Sequence, residues 1–183
     1  MCQPLIDVVH QRQNEEFDLM NTSDKLALRK ATTLAVQLLQ KSVTKFLPDK
    51  SDILPYLTTL VPATLRQLQV SKDKEPVIRL LEGTVRTSFG RSEPYINDIL
   101  LNILPFLKDR HQHIQLASLD VISALLISAG KTPLEQFGSH LVRVTSEIVH
   151  LLYHDDFSIR RGAWLAFFSI ASLLQGSEDV SSI

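Results

Sequence analysis

The sequence predicts an all-α fold, a right-handed superhelix of stacked antiparallel helix pairs. Three observations carry that expectation. The 183 residues are 44% hydrophobic and 21% charged but only 7% aromatic, with few short β-branched runs, a composition that argues against wholesale disorder and against a sandwich or barrel. Apolar residues recur at helical spacing in segments bounded by proline, glycine and short polar turns. The helices that follow those turns also align with one another, as an internal repeat requires. A chain of this length can bury a core without disulfides or metal.

The elements follow in order. Residues 4–18 carry Leu5, Ile6, Val8, Val9 and Phe17 in a weak pattern, read as a short helix or tail over 1–20. From Ser23, a candidate N-cap followed by Asp24, SDKLALRKATTLAVQLLQKSVTKF reads as helix until Pro48. After the linker LPDKSD a second helix spans ILPYLTTLVPATLRQLQ, where interior Pro62 predicts a kink or a split. The polar turn SKDK leads into a third helix from Glu75 and Pro76 to about Phe89, stopped by Gly90.

Ser92 caps EPYINDILLNILPFLKD, in which Pro105 distorts the last turn; RHQHIQLASLDVISALLISAG then forms a helix ended by Gly130. Thr132 and Pro133 start the next helix, through about Tyr153, and His154, Asp155 and Asp156 make the turn into FSIRRGAWLAFFSIASLLQ. That last helix is expected to end before Gly176, leaving 176–183 as a flexible tail. The reading is of one repeat domain over 21–175.

Overlaying LALRKATTLAV, PVIRLLEGTVR, HIQLASLDVIS and SIRRGAWLAFF sets Leu28, Ile78, Ile114 and Ile159 in one column. Three positions on stand Ala31, Leu81, Ala117 and Gly162; seven on, Ala35, Val85, Val121 and Ala166; eleven on, Leu39, Phe89, Leu125 and Ile170. These offsets mark one side of a helix, and the mostly small residues of the second and third columns let neighbouring helices approach closely. Stacking one pair on the next is then what completes the core.

This pattern resembles the HEAT repeat family, through the paired helices, Pro105 near the end of a first helix, and the turn leading into an apolar-Arg-x-x-small segment. SIRRGA at 158–163 is the best copy, with Asp156 in the turn and Arg160 at the arginine position; Arg79 and Arg29 stand there in two other copies, and Gln115 replaces arginine in the third. The resemblance implies that Arg160 supports its turn while Arg161 projects outward. The uneven intervals, between roughly 36 and 50 residues, fit HEAT or armadillo-like stacking. A plain helical bundle explains the helices but not the recurring columns.

Composition and motifs point away from catalysis. With 19 basic and 20 acidic residues, a formal charge of −1 and no basic block, the chain offers nucleic acid or an anionic membrane no general attraction. The lone Cys2 forms no intramolecular disulfide, and with no signal-peptide pattern in MCQPLIDVVHQRQNEEFDLM the expected setting is intracellular, cytoplasmic or nuclear, without membrane insertion. His150 and His154 share a helical spacing but lack the glutamate of a zinc-protease helix, and His111 and His113 point apart. The glycines are scattered, and Cys2 has no fixed base. No metal or cofactor is expected.

Function is therefore sought on the surface. The turns between paired helices bring Lys72, Lys74, Lys108, Arg110, His111, His154, Asp155 and Arg161 to a candidate ridge that suits an acidic protein segment. Trp164 and Phe168, four residues apart on the last helix, form a candidate terminal packing face for another helical-repeat subunit. The expectation is a protein-binding scaffold. Nucleic-acid binding along Lys72, Lys74, Lys108 and Arg110 is a weaker alternative, for want of interleaved aromatics, and a spacer or dimerising module of a longer repeat protein is a third.

Overall fold

The computed structural model describes residues 57–88, 93–129 and 137–178, together with helical positions 27, 30, 31, 34, 35 and 38. It divides into two compact units, Met1–Thr87 and Ser88–Ile183. Among the described residues there are six α-helices, two 3-10 segments and no strand, an all-α fold. The expectations for 1–20, Ser23, Leu28, Arg29, Leu39, the 47–52 linker, Phe89, Gly90, Ser92, Gly130, Thr132 and Pro133 lie outside the described residues.

In the first unit, α1 (Leu57–Val70) packs on α2 (Glu75–Thr87) across the turn 71–74. Leu57, Leu60, Val61, Ala63, Leu65 and Leu68 of α1 are buried, as are Val77, Ile78, Leu80, Leu81 and Val85 of α2. The buried hydroxyls of Thr64 and Thr84 donate to Leu60 O at 2.7 Å and Leu80 O at 2.8 Å, so they cost no unsatisfied donor. Helix α1 runs through Pro62 without a split. The proline deprives only the Thr58 carbonyl of its partner, and Thr58 lies on the exposed side of the helix, where water can serve instead.

Ala31 departs from its expected core position. Among the described positions of that helix Ala35 is buried, whereas Ala27, Lys30, Ala31, Leu34 and Leu38 are exposed. A helical step of four residues rotates about 40°, enough to carry Ala31 across the edge of the buried sector that holds Ala35.

The second unit begins with a 3-10 turn at Glu93–Tyr95 and continues as α3 (Ile96–Ile103), a 3-10 segment Leu104–Lys108, α4 (Gln112–Ala129), α5 (Gly138–Leu151) and α6 (Phe157–Glu178). The change from α to 3-10 geometry falls at Pro105, next to the segment's start. Proline has no N–H for the carbonyl four residues back and its ring crowds that carbonyl, so the chain tightens. Helix α6 passes through Gly176 to Glu178, beyond the stop the sequence predicts. One helical glycine costs only about 1 kcal/mol relative to alanine, too little alone to end a long helix.

Helix α6 packs on both α4 and α5, and the second 3-10 segment packs on α4 and α5. The aligned columns of α2, α4 and α6 face inward at every described position: Ile78, Leu81 and Val85; Ile114, Ala117, Val121 and Leu125; Ile159, Gly162, Ala166 and Ile170. At Gly162 the reason is steric. A Cβ there would sit 3.2 Å from Leu119 Cδ1 and 3.3 Å from Leu116 Cδ1, so α4 and α6 approach through the missing side chain.

Candidate protein-binding surface

Half of the eight residues of the predicted ridge, Lys74, Lys108, His111 and His154, have side-chain partners within the chain. In the first unit Lys74 folds its ammonium back onto the end of α1, donating to Leu68 O and, at 3.2 Å, to Gln69 O. Helix C-termini leave carbonyls without partners, and a cation there answers both their hydrogen bonding and the helix dipole. Burial holds the Lys74 ammonium below the usual lysine range. Lys72, by contrast, is exposed. Lys74→Met is expected to destabilise the α1–α2 pair by about 1 kcal/mol, read as faster amide exchange over 57–87 while exchange over 93–129 is unchanged.

Arg79, at the arginine position of its copy, pairs along its own helix with Glu82 at 3.2 Å and Glu75 at 3.9 Å. Arg160 behaves differently. Its Nη1 donates to His154 O at 2.6 Å and Asp155 O at 2.7 Å, bracing the turn before α6. Asp156 Oδ1 accepts the Ser158 and Ile159 N–H groups at 2.8 and 3.1 Å, an aspartate N-cap, and His154 Nδ1 accepts the Asp156 N–H at 3.0 Å. Asp155 is exposed, and so is Arg161, which forms no ion pair among the described residues.

The turn before α4 is built on Asp109. Its Oδ1 accepts the His111 N–H at 2.8 Å and lies 2.9 Å from His111 Nδ1. The backbone hydrogen bond, joined by the His111 side chain and Arg110, holds the Asp109 carboxyl below its usual range. Lys108 crosses to Glu147 of α5 at 2.7 Å, while Arg110 is exposed. A carboxylate depressed in the folded state contributes stability above its unfolded pKa and loses it as pH falls through the folded value. The wild type is therefore expected to lose an increment of stability below the ordinary carboxylate range that Asp109→Asn does not lose, measured by denaturant unfolding across acid pH.

An exposed aromatic and aliphatic cluster lies on α6. Ile159 and Ile170 on its inner side are 1% and 3% exposed, whereas Phe157, Trp164, Leu165 and Phe168 on its outer side are 69%, 46%, 56% and 60% exposed. Trp164 and Phe168 stack with centroids 5.6 Å apart and planes 30° apart, and Phe167 meets Trp164 edge-on at 6.1 Å. Phe167 also lines a groove of about 370 Å³ between α5 and α6, with Leu141, Val142, Thr145, Ile170, Ala171 and Leu174. The Arg160 guanidinium lies 5.9 Å from the Phe157 ring centroid.

Aromatic plates beside an apolar groove are the usual anchors of protein recognition. Trp164 and Phe168 were legible in the sequence by their spacing. The groove and the exposure of Phe157 and Leu165 were not, because they depend on how α5 lies against α6. Among the described residues no group of three metal-ligating side chains is assembled, and no helix is long and apolar enough to cross a membrane. No family model, curated protein or solved structure matches the chain.

Proposed function

We propose that the chain is a HEAT-like helical-repeat scaffold that binds a protein partner, without catalysis, through the outer face of α6 and its groove against α5. The observation that carries this reading is the stacked, half-exposed Trp164 and Phe168 pair, continuous through Phe167 with that groove. Large apolar side chains are exposed elsewhere in the unit too, Ile127, Val142 and Tyr153 among them, but the stacked aromatic pair lies on one side of α6. The buried columns of α2, α4 and α6 support the repeat reading, and the lone Cys2 fits a cytoplasmic or nuclear setting. Lys74 and Lys108 are turned to internal partners, which leaves Lys72 and Arg110 as the exposed cations of those turns.

The test compares the wild type with Trp164→Ala/Phe168→Ala in affinity capture from cell extract. Both side chains are substantially exposed, so the variant should keep the helical circular dichroism of the wild type. Loss of an aromatic anchor weakens binding by about 2 kcal/mol or more, roughly thirtyfold. A protein captured by the wild type and lost with the double variant is the expected result. Undiminished capture would sink the assignment, and salt-sensitive capture of nucleic acid abolished by Lys72→Glu/Arg110→Glu would replace it.

A further inference from the structure

We infer that the partner at this face is an α-helix of another protein that sets glycine or alanine over Trp164 and carboxylates beside Arg161. The inference rests on the binding face just described and names what covers it. Its starting point is the contact the unit already makes between α4 and α6, where Leu116 and Leu119 close over Gly162 at 3.3 and 3.2 Å from the position of a Cβ. The aligned sequences place Arg161 and Trp164 of α6 at the register of Leu116 and Leu119 of α4. Phe167 and Ala171 likewise stand where α4 has Ile122 and Leu126.

Helix α6 thus places Trp164, at the register of Leu119, on its outer side, with Arg161 in place of the apolar Leu116. On α4 Leu119 is 0% exposed; on α6 Trp164 is 46% exposed. Continuing the same packing demands a helix with a small residue at the crossing, and the demand is stronger here because indole is larger than isobutyl. The stacked Trp164 and Phe168 rings make a bulky aromatic surface, against which a low ridge of glycine or alanine approaches most closely, while the groove beside Phe167 can take a larger apolar side chain from the same helix.

Charge selects the polar flank. The described side chains of α6 include no carboxylate, and Arg161 is exposed without an ion pair among the described residues. An approaching carboxylate is therefore attracted without competition on this helix, and an approaching lysine is repelled. A second copy of this chain is the poorer occupant, since the exposed alanines among its described residues, Ala27 and Ala31, stand beside exposed Lys30.

Trp164 is the sole tryptophan of the chain, so its fluorescence reports this surface alone. The probe is a synthetic amphipathic helical peptide with glycine at the centre of its apolar face and glutamates flanking it, titrated into the full chain. The expected result is a saturable shift of Trp164 emission to shorter wavelength, weakened by about tenfold or more when leucine replaces the glycine. Lysine in place of the glutamates should weaken it similarly, and Arg161→Glu should invert the preference between the two peptides. Phe168→Ala, which spares the reporter, should weaken the response to every probe.

No response, equal response to the leucine peptide, or a charge preference indifferent to Arg161→Glu would each overturn the inference. So would an emission shift that grows with chain concentration in the absence of peptide, which assigns the face to a second copy. Failure of the peptide while Trp164→Ala/Phe168→Ala still abolishes cellular capture discards the small-residue acidic helix and leaves the binding face standing. Persistence of capture by that double variant discards the face itself.

Discussion

Replacing Gly162 by leucine is expected to destabilise the 88–183 unit by about 3 kcal/mol, near the upper end of the usual penalty for overpacking. The α4–α6 contact has no room for the added atoms, since even a Cβ would press on Leu119 Cδ1 and Leu116 Cδ1. Alanine at the same position is a milder case. It gains roughly 1 kcal/mol of helix propensity and asks two flexible leucine termini to move by tenths of an ångström, so the two effects nearly cancel. Urea unfolding of the three proteins tests this ordering, and a leucine variant within about 0.5 kcal/mol of wild type would mean the helices slide apart freely.

A double-mutant cycle sharpens the test. Leu119 is fully buried, so Leu119→Ala alone should cost about 2–5 kcal/mol through the cavity it leaves. Combined with Gly162→Leu, part of that cavity is refilled, and the pair should be less destabilised than the sum by about 1 kcal/mol or more. Strict additivity would show that the two positions do not share a contact.

The second large effect separates two adjacent arginines. Arg160→Ala should cost about 2 kcal/mol, because a half-buried guanidinium bracing the His154 and Asp155 carbonyls is removed and both carbonyls lose their donor. For a unit of this size that corresponds to a Tm decrease of roughly 10 °C. Arg161→Ala, at an exposed position with no ion pair among the described residues, should remain within about 0.5 kcal/mol of wild type. Arg160→Lys should fall between, since both hydrogen bonds leave the one nitrogen Nη1, which an ammonium can replace in kind, but on a more flexible and more strongly hydrated side chain. Equal destabilisation by the two alanine substitutions would contradict this division of roles.

The contrast between these arginines was legible from the repeat alignment, as was the inward direction of Ile78, Ile114 and Ile159. Helical periodicity is local, and a column that recurs after each turn leaves little choice of buried side. Pro105 was legible too, because the lost N–H acts within one turn of its own helix. Of the two outcomes expected at Pro62 the split does not occur: whether a proline splits a helix depends on what else can satisfy the freed carbonyl, and that is set by exposure.

Lys74 and Lys108 show where local reading ends. Both looked like surface charge in short polar turns, yet one reaches the carbonyls at the end of α1 and the other Glu147 on α5. A long flexible cation is directed by whichever acceptors the chain path brings within reach, and that path is not encoded in the turn alone. Ala31 fails similarly, its column being small and apolar while its side of the helix is uncovered among the described residues.

By itself, then, the sequence determined the all-α class, most helix positions and the inward side of α2, α4 and α6, since each follows from spacing along one helix. Only the tertiary structure decided that Lys74 and Lys108 reach partners within the chain, that Gly162 admits α4, and that Phe157, Trp164, Leu165 and Phe168 stand uncovered beside a groove. Exposure is a property of what a neighbouring helix leaves uncovered, and no single helix carries that information.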